Sequence, residues 1–480
     1  MLPIGNGDEA IVWSIPNIWK LSDTDGDGTA DQREILYGPF DFVDTHGDQN
    51  SFRLGPDGWV YACHGFRNDS KVKLKGEGEI VLTMQSGNTY RFKPDGSAIE
   101  QVTWGQVNPF GMCFDSLGNQ FSADCHSRPV TMLLRGGVYE SFGKPHDGLG
   151  YAPAMTGHDH GSTGIAGALV YDDAEGFPAD YQGNLFVGNV ITNTIHRDRL
   201  QWKGSSPWIV APEDFLVCDD WWFRPVDLQT GPDGALYVAD FYNCIIGHYE
   251  VDLLHPRRDR DRGRIWRVVW KGTDSDKGPR PDDTGALLPF DLTSAPVEKL
   301  FPLLGHVNQT VRRLAFEQLL VRESQSESVL RDARLLAADT AAVPEARALA
   351  LWLVARLGGL DQATAAGLAS APERAVRVHL VKALDGTGGW DDTRQRLVIA
   401  LLFDNDPFVR RAAAEALASH PSAGAGCGRR SAGHGGAGRR REQRLARPRA
   451  APGGPRRRGG WQAPRRRRGA RKDRCQRGAR

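Results

Sequence analysis

The chain has 480 residues, a quarter of them charged, and a formal net charge of +1, enough length for two or three domains with packed cores. That near-zero total hides an asymmetry: from Pro421 onward 20 Lys and Arg stand against 2 acids, leaving 40 basic and 57 acidic residues before it. No stretch is long and apolar enough to cross a membrane, Met1 to Gly7 has neither the basic start nor the apolar core of a signal peptide, and the seven cysteines form no Cys-x-x-Cys pair. A zinc ribbon and a c-type haem attachment are thereby excluded.

Glu9 to Leu21 reads as two strands, so the chain opens in mid-pattern and its true N-terminus is expected upstream. The first chemistry follows in the stretch Asp23 to Glu34. Oxygen ligands fall at loop positions one (Asp23), three (Asp25), five (Asp27), seven (the Thr29 carbonyl), nine (Asp31) and twelve (Glu34), with Gly28 at the sharp turn. Four aspartates in nine residues repel one another without a cation, so Ca2+ is the expected occupant; a solvated acidic turn is the alternative. The flanks lack long helices: Ile18 to Leu21 is strand-like and only Gln32 to Tyr37 suits a helical turn, so the ion is expected to staple an inter-strand loop.

One phrase then occurs twice, Gly55-Pro56-Asp57-Gly58-Trp59-Val60-Tyr61 and Gly231-Pro232-Asp233-Gly234-Ala235-Leu236-Tyr237. Pro presets the first turn position, Asp caps its own backbone and Gly takes the positive-φ position, giving a tight turn that feeds a strand. Degenerate copies begin at Phe114 and Tyr181, and Lys93-Pro94-Asp95-Gly96 repeats the turn alone. Recurrence of a turn-plus-strand unit predicts a β-propeller with one unit per blade.

The histidine of Asp44-Thr45-His46-Gly47-Asp48 stands just before a blade's turn, and can either project toward the central channel or pair with Asp44 or Asp48. In Thr156-Gly157-His158-Asp159-His160-Gly161, His158 and His160 would share a strand face; a transition-metal pair and a channel-lining loop are the two readings. Phe215 to Tyr242 is the most distinctive stretch, with Trp221, Trp222 and Phe223 beside Arg224, Asp227 and Asp240. Stacking faces and orienting charges suit a sugar or planar ligand; inter-blade packing with buried ion pairs is the alternative. The mixed-sign run His255 to Arg262 reads as a salt-bridged loop, not a nucleic-acid patch. Arg264 to Trp270 reads as a last strand placed to close the ring against the N-terminal blade.

Gly272 to Pro289 is linker-like, and beyond it the apolar period changes from two to about 3.6. Val311-Arg312-Arg313-Leu314-Ala315, Ala346-Arg347, Val376-Arg377 and Val409-Arg410 repeat one helical phrase at intervals of 35, 30 and 33 residues. The last is announced by Asp404-Asn405-Asp406-Pro407, a capped helix start. These are HEAT-like repeats, a solenoid that offers a surface to a protein partner. After Pro421 the chain is almost entirely Arg, Gly, Ala and Pro. This is either a disordered basic arm or, as expected here, the product of a frameshift in a GC-rich gene.

The order of His46, the Gly-Pro-Asp-Gly strand, Gly87-Asn88-Thr89-Tyr90-Arg91 to Pro94-Asp95-Gly96, and Gly105 to Gly111 with Asn108-Pro109 resembles the glucose/sorbosone dehydrogenase family. Residues 9 to 420 more closely resemble the membrane-bound dehydrogenase family, in which such a propeller is followed by HEAT repeats and a cytochrome c-type haem domain. The resemblance implies a six-bladed propeller (1–272, first blade incomplete), a linker (273–295), HEAT-like repeats (296–421) and a tail (422–480). It implies an exported, periplasmic or extracellular oxidoreductase of sugars or other alcohols that uses pyrroloquinoline quinone (PQQ) and calcium, its electrons passing to a haem domain absent here. His46 matches the general base and Asn108 a residue near the cofactor; Arg224, Asp227 and Asp240, read above as orienting charges, are the further candidate cofactor contacts. The residue before Asn108, usually arginine in those dehydrogenases, is Val107 here. The competing reading is a non-catalytic scaffold for a carbohydrate or protein, since a fold does not fix a function.

Overall fold

A computed structural model describes residues 1–126, 129–143, 150–155, 160–172, 176–247, 251–252, 254–272, 291–322 and 326–421. Met1–Ser422 forms one compact unit. His158, Asp159, most of the expected linker and the tail 422–480 lie outside the described residues.

The N-terminal part is propeller-like, built from antiparallel sheets whose strands follow one another along the chain. A six-stranded sheet joins β1 (Leu2–Ile4), β2 (Glu9–Ser14), β3 (Asn17–Ser22) and β4 (Gln32–Gly38) to the hairpin β7 (Asp69–Leu74) and β8 (Ile80–Gln85). Next come β5 (Asn50–Leu54), β6 (Val60–His64), β9 (Asn88–Phe92) and β10 (Ile99–Trp104), then β11 (Asn108–Phe114), β12 (Gln120–Cys125) and β13 (Val130–Leu133). The fourth sheet holds β14 (Ile165–Val170), β15 (Leu185–Asn189), β16 (Thr194–Lys203) and β17 (Ser206–Val217), and the fifth β18 (Pro225–Thr230), β19 (Leu236–Asp240) and β20 (Arg264–Val268). One expectation is corrected: Gln32 to Tyr37 is strand, because pairing of β4 with β3 decides an ambiguous segment. The expected last strand is present, Arg264 to Val268 pairing with β19 as the outer strand of its sheet.

The repeated phrase folds as its residues dictate. Gly58 N donates to Gly55 O at 3.0 Å and Gly234 N to Gly231 O at 3.0 Å, with φ of +77° and +75° at the two glycines. Asp57 accepts from Trp59 N, and Asp233 from Ala235 N. The likeness extends past the turn: Tyr61 Oη and Tyr237 Oη donate to the same aspartates, and Arg91 and Arg267 pair with them across the ladder at 3.0 and 2.7 Å.

Eight α-helices follow among the described residues: α1 (Val297–Leu300), α2 (Gln309–Leu320), α3 (Ser326–Ala338), α4 (Pro344–Arg356), α5 (Gln362–Ala369), α6 (Arg374–Gly386), α7 (Asp392–Leu401) and α8 (Pro407–Ser419). Each repeated phrase lies in an even-numbered helix. Its arginine folds back on the preceding turn: Arg312 to His306 O and Val307 O, Arg347 to Ala337 O, Arg377 to Ala371 O, Arg410 to Asp404 O. The expected start of α8 is as read, with Asp406 capping Phe408 N and Pro407 opening the helix. No described helix is long and apolar enough to cross a membrane.

The helices pack on the turn end of the sheets. Asn308 and Thr310 donate to Gly231 O and Thr230 O, His379 to Ser116 O, and Lys382 to Gly118 O. Arg356 lies against Gly58, and Arg411 reaches Asn119 and Ser205 O. The strand ends opposite these turns, marked by the pairs Asn50 with Cys63, Asn108 with Cys125, Ile165 with Asn189 and Pro225 with Asp240, form the rim end.

Candidate functional site

At the rim end, strand β11 begins with Asn108, whose amide bridges two loops. Its Oδ1 accepts from Phe66 N at 3.0 Å and its Nδ2 donates to His46 O at 3.3 Å. The bridge needs close backbones: a Cβ on Gly65 would lie 2.1 Å from Asn108 Oδ1 and 2.6 Å from Gly47 Cα, so only glycine fits there. Buried Asp124 fixes β11 in turn, accepting from Asn108 N at 2.7 Å and Val107 N at 3.1 Å.

His46 itself is exposed. Its backbone N donates to Asp44 at 3.0 Å, while Nε2 lies 3.0 Å from Ile246 O. A carbonyl can only accept, so Nε2 carries a hydrogen in this contact. Asp48 has its pKa pushed up to about 6, mainly by burial and further by Asp44 and Asp41. The sequence reading did not single out His126, which ends the strand paired with β11; burial first, then the nearby His46, lower its pKa, with Asp44 opposing.

Arg224 and Asp240 sit together on the same end, joined to His46 through the segment 243–246. Arg224 is buried, and its guanidinium donates to Asn243 O at 2.9 Å, to Cys244 O at 3.5 Å and to Val190 O of the neighbouring sheet. Asp240 accepts from Arg224 N, Tyr242 N and Trp266 Nε1. Arg224 thus links the sheet of β18 to the end of β15 in the neighbouring sheet. Trp222 packs against Tyr242 at 5.4 Å with the rings tilted by 42°, and Phe223 is buried, while Trp221 is exposed.

Asp227 is elsewhere. It pairs with Arg53 at 2.6 Å on the wall of a cavity of about 400 Å³ at the turn end, which is closed on its other side by Arg313, Glu345 and His379 of the helices. His160 Nε2 pairs with buried Asp198 at 3.0 Å and its ring stacks on His196 at 4.1 Å, while its expected partner His158 lies outside the described residues.

The acidic loop joins β3 to β4, as an inter-strand loop. Asp23, Asp25 and Asp27 bring carboxylate oxygens within 4.8 Å of one another. Gly26 N and Gly28 N donate to Asp23 at 2.8 Å each and hold its carboxyl below the usual range, the Gly28 bond contributing most. Asp31 instead accepts from Thr24 Oγ1 at 2.6 Å, and Glu34 pairs with Lys75 at 2.9 Å. Three of the six expected ligands therefore converge with a donor set suited to a hard cation, while Asp31 and Glu34 hold Thr24 and Lys75.

These features define a propeller-like protein with a histidine-bearing rim and a helix-covered turn end. Residues 2–272, more than half of the chain, match the family described as Domain of unknown function (DUF7133), and the chain belongs to that family. Comparison with curated proteins finds no match. Among solved structures, similarity is found to an oxidoreductase (glucose dehydrogenase) of Thermus thermophilus, at 16% identity over 48% of this chain and 85% of that one, with a TM-score of 0.30. The PQQ-bound aldose sugar dehydrogenase of Streptomyces coelicolor gives 15% over 56% and 91%, TM-score 0.32. The PQQ domain of pyranose dehydrogenase from Coprinopsis cinerea gives 16% over 49% and 77%, TM-score 0.31.

Proposed function

We propose that this chain is an oxidoreductase-type propeller that engages a sugar or other alcohol at the rim end, with His46 as acceptor of the hydroxyl proton. The observation that carries this is the setting of His46: its ring is exposed at the rim end, Nε2 lies 3.0 Å from Ile246 O, and Asn108 holds its backbone carbonyl. Export, six blades, HEAT-like repeats over 296–421, a protein partner on them and a haem acceptor beyond the tail belong to the same reading through the family resemblance.

The side chains assigned to the quinone do not fit it. A tricarboxylic quinone needs uncommitted cations and donors; Arg224 is committed to three carbonyls, Asn108 to two loops, Asp240 to three donors and Asp227 to Arg53. Val107 is buried and adds no charge. The same commitments favour the second reading, a non-catalytic scaffold that binds a carbohydrate or protein. Calcium fits better, and Asp23, Asp25 and Asp27 would hold it, their charge neutralised by the ion and the loop fixed between β3 and β4.

The deciding experiment is titration with PQQ and Ca2+ followed by aldose-driven dye reduction, in wild type and His46→Ala, beside calorimetric aldose binding. Dye reduction lost by ~10²-fold or more in His46→Ala supports the enzyme. Sugar binding without quinone binding or dye reduction moves the assignment to the scaffold.

A further inference from the structure

The cavity of about 400 Å³ at the turn end lies at the opposite ends of the strands from His46 and plays no part in the function proposed for the rim. Its size is that of a small-ligand site, which is typically an apolar enclosure carrying a few polar groups. The wall draws on the turn-ward ends of β5, β11, β14 and β18 and on the N-terminal halves of α2, α4 and α6. These elements bring Phe52, Phe114, Leu169, Leu228, Phe316 and Leu349 to the cavity, so most of its surface is apolar. Ser116 and Gln229, in the same wall, are exposed and open it to solvent.

The cations of the wall are already engaged. Arg53 pairs with Asp227 at 2.6 Å, and Arg313 with Glu317 at 2.7 Å. Arg312 pairs with Asp172 at 3.1 Å and also donates to His306 O and Val307 O. Both ring nitrogens of His379 are taken, by Trp352 Nε1 and Ser116 O. The Met1 amino group, whose pKa is lowered mainly by burial, adds less positive charge than an open terminus would.

The acids are not all engaged. Asp115 accepts from Leu117 N, Asn119 N and Asn119 Nδ2. Glu345, by contrast, has no hydrogen-bond or ion-pair partner for its carboxylate among the described residues. It stands in the first turn of α4, where the helix dipole favours negative charge. The Asp227 side chain is 38% exposed against 19% for Arg53, so the acid is the more open member of that pair. The cavity therefore offers negative charge inside an apolar wall, where a bond to an ionised group is strong.

We propose that the turn-end cavity binds a small organic amine, its apolar body against Leu169, Phe316 and Leu349 and its ammonium at Glu345. This ligand is separate from the substrate proposed for the rim end, and its binding is measured without turnover.

The test is calorimetric titration of the full chain at pH 7 with 2-phenylethylamine and its neutral and anionic counterparts, 2-phenylethanol and phenylacetate, with methyl NMR shifts of Leu169 and Leu349 locating the bound probe. The amine should bind at least ~10-fold more tightly than either counterpart. Glu345→Gln should remove that preference and leave the affinity for the alcohol unchanged. Gln309→Trp, which replaces a wall side chain that makes no bond with one large enough to fill the space, should weaken amine and alcohol alike. Absence of amine binding at millimolar concentration overturns the proposal, as does phenylacetate binding as tightly as the amine, a preference that survives in Glu345→Gln, or shifts confined to methyls away from the cavity. Should Gln309→Trp fail to fold, the comparison of wild type with Glu345→Gln decides alone.

Discussion

At the turn end Asp57 and Asp233 each accept a tyrosine hydroxyl and an arginine, and helix side chains bond the carbonyls of the turns. At the rim end the backbone is left-handed at several non-glycine positions, and His46 and His126 face outward. One end thus ties its turns to buried side chains and helices, and the other presents titratable groups on its surface. Substitutions should separate them.

Asp57→Ala at the turn end should have the largest effect on stability. It leaves Arg91, whose side chain is 8% exposed, with one carboxylate partner instead of two, and removes the acceptor of Tyr61. Breaking a buried pair of this kind costs about 3 kcal/mol, read from the urea midpoint.

Acid should act on the same end. His379 accepts from Trp352 Nε1 at 3.0 Å on Nδ1 and donates from Nε2 to Ser116 O at 2.9 Å, so its buried ring is locked neutral, and burial lowers its pKa from 6.5 to about 4. A depressed folded-state pKa means that the unfolded chain binds the proton first. The contribution of His379 is therefore full above pH 6.5 and is lost as pH falls toward 4, by up to about 3 kcal/mol. In His379→Asn the stability–pH curve should be flatter over that window; an unchanged slope would remove His379 as its cause.

His46→Ala should reverse the pattern, changing stability by no more than about 0.5 kcal/mol while the dye reduction falls steeply. A large drop in melting temperature would instead make the rim end structural. The acidic loop gives the smallest effect and the sharpest contrast within itself. Asp27→Asn should abolish the rise in melting temperature produced by Ca2+, whereas Glu34→Gln, whose partner is Lys75, should leave it intact. Equal loss in both variants would restore Glu34 to the ligand set.

The turn end was legible in the sequence because its chemistry is local. Pro, Asp and Gly act on their own backbone within four residues, and the Val-Arg phrase recurs at helical spacing. The pairing of Arg91 with Asp57 was not legible, since it depends on strands 34 residues apart. At the rim, His46 and Asn108 were found through motif order, and the structure links them directly. Arg224 was read as a ligand handle because sequence shows its charge and hides its acceptors, three backbone carbonyls in other segments. His126 carried no motif; the available signal was its place at the end of the strand following Asn108, where a strand meets the rim.

The docking of helices on turns has a consequence for how this chain can lengthen or shorten. Helix α2 meets the turn after β18, α4 the turn after β5, α6 the turn after β11, and α8 the β16–β17 hairpin, where Phe408 packs on Trp202 at 4.9 Å. The even-numbered helices thus meet the fifth, second, third and fourth sheets in turn. A change in the length of one loop between them would shift the next helix off the turn it bonds, so the loops between these helices are tied to the spacing of the turns beneath them.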